Sequence, residues 1–284
     1  MTISVASGKG GTGKTTVAVG LALVADRPTV VDCDAEAPNC HLFLRQGSPR
    51  VTPVLVPIPR VDARRCKLCG ACAAACRFHA LAAVGRRLLL FPELCHGCGA
   101  CLIACPVGAL SETQRTVGVL ETEQAGDIYL ITGRLNEGEA TAVPVIRAAK
   151  RSAPQDGLVL LDAAPGTACT MVEAVKDSDL CLLVTEPTPF GLHDLEMAID
   201  ALRQMGVPGA VVVNRAEGPS DDVAALCRRH SLPLLAEIPL DRRAAEAYSR
   251  GEHPLHVIGG WPMLFAQLLE RAISIAGTSE RYCR

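Results

Sequence analysis

The sequence predicts an α/β fold, a mainly parallel doubly wound sheet with a small α+β module inserted into it. Three observations predict it. An apolar run, Ile3 to Ala6, passes through a glycine-rich loop into a helix-patterned stretch, Val17 to Ala25. Short apolar strands alternate with helical stretches through the closing third of the chain. Between these two regions lies a duplicated cysteine run that fits neither pattern.

Size and composition bound the rest. A chain of 284 residues can bury a full α/β core with one small extra module. The net charge of -2, from 28 basic and 30 acidic side chains, offers no surplus for nucleic acid or an anionic membrane. No apolar stretch reaches membrane-span length, and the N-terminus runs into the first strand without a charged leader. The expectation is a cytoplasmic protein without stable membrane insertion. Fourteen cysteines in that setting point to metal thiolates rather than disulfides.

The first strand leads into Gly8-Lys9-Gly10-Gly11-Thr12-Gly13-Lys14-Thr15, followed by Thr16. This fits GxxxxGK[ST], in which glycines let backbone N–H groups close on a phosphate while the helix N-terminus adds its positive end. Lys14 is placed to reach the β- and γ-phosphates and Thr15 to give its hydroxyl to Mg²⁺. With a lysine as early as Lys9, the loop resembles that of the MinD, Mrp and nitrogenase iron-protein group of P-loop ATPases. That resemblance implies ATP-dependent pairing into a homodimer, or a heterodimer with a similar ATPase, with Lys9 reaching the partner's nucleotide. The plain alternative for Lys9 is a solvated loop charge.

The same resemblance organises three later segments. Thr29 to Val31 reads as a second buried strand, ending in Asp32-Cys33-Asp34, and the stretch through Asn39 is similar to switch I. It implies water activation by Asp34, with Asp32 and Asn39 supporting Mg²⁺ or its waters; an acid at a strand end is also a common helix cap. Leu158 to Leu161 is an apolar strand ending in Asp162-Ala163-Ala164-Pro165-Gly166. This is similar to the Walker B and switch II segment, which implies a Mg²⁺ role for Asp162 through water, with Pro165 and Gly166 in the switch and Gly166 sensing the γ-phosphate. Asn214-Arg215 and Pro239-Leu240-Asp241 end two strands, where doubly wound sheets bind ligands. By resemblance they form the adenine pocket, though Asp241 suits a cap equally well. The activity implied is a slow, partner-stimulated, Mg-dependent ATPase with Lys9, Lys14 and Asp34 as its catalytic set.

The duplicated run reads Cys66-x2-Cys69-x2-Cys72-x3-Cys76 and again Cys95-x2-Cys98-x2-Cys101-x3-Cys105-Pro106. Each half resembles the two-cluster bacterial ferredoxins, in which three cysteines hold one cubane and the fourth crosses to the other. The resemblance implies one [4Fe–4S] cluster on Cys66, Cys69, Cys72 and Cys105 and a second on Cys76, Cys95, Cys98 and Cys101. Zinc is the competing ligand for paired CxxC. Small residues between the cysteines suit a chain wrapped on a cubane. Arg77 stands where the pattern usually has proline, which places a cation or an opening beside one site. His96 follows Cys95 and reads as a tuning group or a surface imidazole.

The expected domains are an ATPase of residues 1–60 and 114–284 and a ferredoxin-like insert of residues 61–113. The proline-interrupted run at Pro53, Pro57 and Pro59 reads as a connection leaving the core. Arg115 to Thr122 and Asp127 to Gly133 read as a hairpin, and a helix is expected over Glu139 to Lys150. Cys169 stands where the nitrogenase iron protein has a cluster ligand, but the preceding segment offers no cysteine to serve as the second, so it reads as small and buried near a dimer face. Cys33, Cys40, Cys181, Cys227 and Cys283 form no CxxC and read as structural. Leu264, Phe265, Leu268, Leu269, Ala272 and Ile273 share a face of a C-terminal helix that lacks the basic residues of a membrane binder, so docking on the sheet is expected.

Three functions follow. The leading one is an ATP-driven switch coupled to electron transfer with a redox partner. The others are an Fe–S or metal-cluster assembly factor delivering to an acceptor protein, and a scaffold or positioning ATPase whose clusters only brace the fold.

Overall fold

A computed structural model describes residues 1–44 and 46–279, with the side chains of residues 278 and 279 outside the description. Cys283 lies outside the described residues. The core is a nine-stranded sheet. Its seven-strand parallel body runs, in spatial order, β11 (Leu234–Pro239), β10 (Gly209–Ala216), β9 (Leu180–Thr185), β1 (Thr2–Ala6), β8 (Val159–Asp162), β2 (Thr29–Asp32) and β7 (Ile128–Leu135). β6 (Leu110–Ala125) and β3 (Arg50–Val61) extend it antiparallel.

Strand alternation distributes the core to both faces. Ile3, Val30, Leu160 and Leu182 meet α1 (Lys14–Val24) and α10 (Trp261–Ser279). Val31, Leu161 and Leu183 meet α5 (Val143–Ser152), α6 (Cys169–Val175), α7 (Pro189–Met205) and α8 (Asp221–His230). The helix expected from Glu139 begins instead at Val143, with Pro144 in its first turn, where a missing N–H costs nothing.

The proline-rich run is a correction. It forms β3, paired with β6 from Arg50↔Thr122 to Val61↔Leu110 with one register shift after Val54. Pro53, Pro57 and Pro59 share one parity, so their nitrogens face one side of the strand, and on an edge strand that side has no ladder to complete. The opposite parity carries Val54, Val56 and Ile58 into the core. Two further corrections concern single residues. Cys169 is exposed at the start of α6, because the preceding loop leaves that turn uncovered. Ile273 is also exposed; Phe265, Leu268, Ala272 and Ala276 are the buried face of α10.

Between β3 and β6 the chain builds a small outlying unit. α3 (Ala71–Ala75) and α4 (Ala100–Ile103) pack on each other, and β4 (Leu81–Val84) pairs with β5 (Arg87–Leu90) as a hairpin. Its own small core joins Cys72, Leu81 and Cys101. The cysteine repeat is also a backbone repeat. Left-handed conformations fall at Leu68 and Gly97, at Gly70 and Gly99, and at His79 and Gly108, each pair 29 residues apart. Two of the first-half positions are not glycine, so that half holds more backbone strain than its copy.

α10 seats Phe265 so closely on α1 that a Cβ at Gly20 would lie 2.4 Å from its ring. Beside it His253 is buried, Nε2 donating to the Thr16 carbonyl at 2.9 Å and Nδ1 accepting from Leu255 N–H at 3.2 Å. Burial lowers its pKa from 6.5 to about 4. The unfolded chain therefore binds the extra proton first, and stability is lost as pH falls from about 6.5 through about 4, by roughly 3 kcal/mol if the full shift is realised. Urea titrations should show wild type losing more stability across that window than His253→Gln, which does not titrate; parallel pH profiles would contradict the assignment.

Candidate functional site

The carboxyl ends of β1, β2, β8, β10 and β11 converge on an open cleft of about 1280 Å³. Gly10, Gly11, Gly13, Lys14, Thr15 and Thr16 form its floor. Asp34, Asn39 and Pro165 form one wall, and Asn214, Arg215, Pro239 and Asp241 another. Gly13 is left-handed at φ 92°, and its carbonyl accepts the first helical bond of α1, from Val17 N–H. A Cβ there would lie 2.2 Å from the Asn214 amide nitrogen, which donates to the Thr12 carbonyl at 2.8 Å. Gly8 lies against α7, where a Cβ would meet the Asp194 carbonyl oxygen at 2.1 Å. Gly166 lies below the cleft, its N–H donating to the Ser7 carbonyl. These contacts fix the loop on both sides.

Beneath the loop lies a buried acidic pair. Asp162 Oδ2 accepts from the Thr15 hydroxyl at 2.6 Å and the Cys40 thiol at 3.4 Å. Asp32 accepts three backbone N–H groups, those of Asp34, Asn39 and Cys40, which curl residues 34–40 over it. Burial pushes both carboxyls up, and the charge of Asp162 adds to this at Asp32; the hydrogen bonds act the other way. Burial also lowers Lys14, against the pull of Asp162 and Asp34. Asp162 Oδ1 is buried without a partner. An orphaned carboxylate oxygen beside a hydroxyl and a second acid is a donor set that suits a hard divalent cation. Among the described residues, Asp32, Cys40 and Asp162 also form a group of potential metal-ligand atoms within 4.8 Å of one another.

Some cleft residues carried no clear sequence signal. Tyr248 lines the cleft and its hydroxyl lies 3.2 Å from that of Thr16. Ala244 and Trp261 also line it. Glu186 binds both Lys9, at 3.2 Å, and Arg215, so the early lysine and an expected pocket residue share one carboxylate. Asp241 both lines the cleft and caps α9 (Arg242–Ser249), accepting from Arg243 N–H at 2.9 Å.

A second region lies in the outlying unit. One cavity is lined by Cys66, Cys69, Cys72 and Cys105. Another is lined by Cys76, Cys95, Cys98 and Cys101. Each thus joins three cysteines of one run to the fourth of the other. The fourth cysteines are equivalent: Ala80 N–H donates to Cys76 Sγ at 3.3 Å and Ala109 N–H to Cys105 Sγ at 3.2 Å. At Cys105 this bond lowers the thiol's pKa. Among the described residues no three cysteine sulfurs come within 4.8 Å of one another.

The second cavity adjoins the main sheet. Pro57, Ile58 and Pro59 of β3 line it, Phe78 and His96 stack beside it at 3.7 Å, and Cys95 packs on the sheet's core. Arg115 on β6 lies within electrostatic reach of Cys95 and Glu93 and makes a bidentate pair with Glu139.

Gly13→Ala should weaken adenine-nucleotide binding by about one to two orders of magnitude, from roughly 1–3 kcal/mol of backbone strain plus the clash at Asn214. Titration with a fluorescent ATP analogue checks this, and unchanged affinity would contradict the geometry.

Comparison with known proteins places the chain. The CobQ/CobB/MinD/ParA nucleotide binding domain matches residues 3–255. An uncharacterized protein of Methanocaldococcus jannaschii, MJ0579, is 30% identical over 264 residues, 89% of this chain and 90% of its own length. The cytosolic Fe–S cluster assembly factor Nubp1 homolog of Drosophila grimshawi is 32% identical over 119 residues, only 34% of this chain and 38% of its own. Among solved structures, the septum site-determining protein MinD of Pyrococcus horikoshii, complexed with Mg-ADP, shares the fold with a TM-score of 0.59 at 21% identity, covering 98% of this chain and 99% of that one. No described helix is long and apolar enough to cross a membrane. The chain belongs to the CobQ/CobB/MinD/ParA family of P-loop nucleotide-binding ATPase domains.

Proposed function

We propose that this protein is an ATP-dependent dimeric switch that controls electron transfer through two [4Fe–4S] clusters. The observation that carries this reading is the crossed arrangement of eight cysteines in two cavities, carried on two strands of the sheet that ends in the nucleotide cleft. In it, residues 1–60 and 114–284 form the ATPase and residues 61–113 the cluster-bearing module.

Each residue then has a task. Residues 8–16 cradle the phosphates, Lys14 neutralises charge on the transferred group, and Asp34 orients the attacking water. Mg²⁺, held by Thr15 and Asp162 with Asp32 behind them, would supply charge neutralisation at the β- and γ-phosphates. Asn214, Arg215, Pro239 and Asp241 surround the base. Lys9 must leave Glu186 to reach a partner's nucleotide, so dimer closure competes with an ion pair already present. Bound cubanes would supply one-electron chemistry at low potential.

The two sites have a physical route between them. Ala35, beside Asp34, accepts through its carbonyl from Leu135 N–H at 2.8 Å. The next residue, Asn136, donates to the Val117 carbonyl from its backbone and to the Thr116 carbonyl from its side chain. Three residues on, Glu139 holds Arg115 near Cys95. A shift of switch I would therefore move a cation beside the inner cysteine cavity. Moving a charge there changes the cost of adding an electron.

A second reading, ATP-dependent Fe–S cluster assembly, is favoured by the partial likeness to the Nubp1 homolog. It predicts delivery of iron and sulfide to an apo-acceptor on ATP hydrolysis.

Redox titration of anaerobically purified protein, followed by EPR, separates the two. MgATP should shift one midpoint potential by tens of millivolts in wild type, and Arg115→Gln should lower that potential and abolish the shift. Potentials indifferent to MgATP, with cluster loss to an apo-acceptor, would overturn electron transfer in favour of assembly.

A further inference from the structure

The outlying unit differs in charge from the body that carries it. Between residues 61 and 113 stand Arg64, Arg65, Lys67, Arg77, Arg86 and Arg87 against Asp62, Glu93 and Glu112, a net of +3 before the negative charge of the cysteine-held groups is counted. The whole chain carries -2, so the remainder carries -5. All six cations are exposed, and among the described residues none of them is in an ion pair. Unpaired exposed cations gathered on one small unit generate a directed field rather than structural support.

The two cysteine cavities meet that field differently. The inner one, with Cys95, is backed by β3 and has Glu112 in its lining. The outer one, with Cys66, opens among the cations. Lys67 and Leu88 line it, Arg87 adjoins Leu88 in sequence, Arg64 stands three residues before Lys67, and Arg65 donates to the Val107 carbonyl at 2.9 Å. Cys69 is exposed there, as is the neighbouring Leu68; Cys98 is likewise exposed at the other cavity, so it is the flanking cations that set the two apart.

We propose that the cationic mouth of the Cys66–Cys69–Cys72–Cys105 cavity is the docking surface for an acidic one-electron carrier protein. This rests on the cluster reading above and deepens it by naming the partner's chemistry and its point of attachment. The carrier presents carboxylates around its own redox centre, and Leu68 supplies an apolar contact inside the charged ring. One electron passes from the reduced carrier to the iron–sulfur group held by the four thiolates; no bond forms or breaks and no proton moves. Charge complementarity sets the encounter rate and orientation. The nucleotide-linked inner site then lies behind the outer one, between the point of entry and the sheet.

The test uses the anaerobically purified full chain and an acidic plant-type [2Fe–2S] ferredoxin as probe, with binding measured by interferometry so that no electron exchange is required. Binding should weaken about tenfold or more between about 50 and about 300 mM salt, as screening predicts. The pair Arg64→Glu with Arg87→Glu should weaken it by about tenfold or more at low salt with iron content and ATP binding unchanged, whereas Arg228→Glu on α8 should not. If the reversed pair loses iron, Arg64→Gln with Arg87→Gln should show a smaller loss of binding at full iron content. Salt-independent binding, or equal binding by the variants and wild type, would overturn the docking surface. So would self-association, or capture by anionic vesicles or duplex DNA, lost through the same substitutions in place of carrier binding. Absence of iron from wild type would instead overturn the cluster reading, a separate result.

Discussion

The pairing of β3 with β6 is the constraint on which the rest depends. It runs from Arg50↔Thr122 to Val61↔Leu110, and β6 pairs in turn with β7, which lies beside β2. The cysteine unit is therefore not tethered by a loose linker. Its entry and exit are adjacent strands of the same hydrogen-bonded sheet whose other strands end in the cleft. A ladder of this kind carries displacement along its length, since its register is held by the buried side chains of one face.

That continuity gives the buried electrostatics a reach beyond the cleft. Asp32 and Asp162 share a dry site, so their charges are costly until a cation and the phosphates it binds are present. The loop covering Asp32 is held by three of its own N–H groups on that carboxylate, and Ala35 in the same loop is bonded to the end of β7. In the proposed switch, rearrangement around the acids would pass through these bonds to Asn136 and Glu139, and from there to Arg115.

Much of this was legible in the sequence because it is local. The phosphate loop, the strand-end acids and the cysteine spacings occupy short windows, and the alternation of apolar strands with helices is a periodic signal. The α/β class follows from those alone. What escaped was decided by partners far along the chain. Pro53, Pro57 and Pro59 read as a departure from the core because prolines oppose a strand; only the edge position of β3 reconciles them. Cys169 looked small and buried, yet the turn it opens is uncovered. Glu186, Tyr248 and the Arg115–Glu139 pair carry no motif, and each becomes meaningful only when the fold brings a distant residue against it.

In the proposed function the eight repeated cysteines hold two crossed iron–sulfur clusters on the arm of a nucleotide switch. Metal and acid-labile sulfide analysis of the anaerobically purified chain tests it most directly. About eight iron and eight sulfide per chain are expected, falling by about half when Cys105→Ser removes the ligand that crosses to the Cys66 site. Zinc in place of iron, or a Cys105→Ser variant that loses the Cys95 site instead, would contradict it.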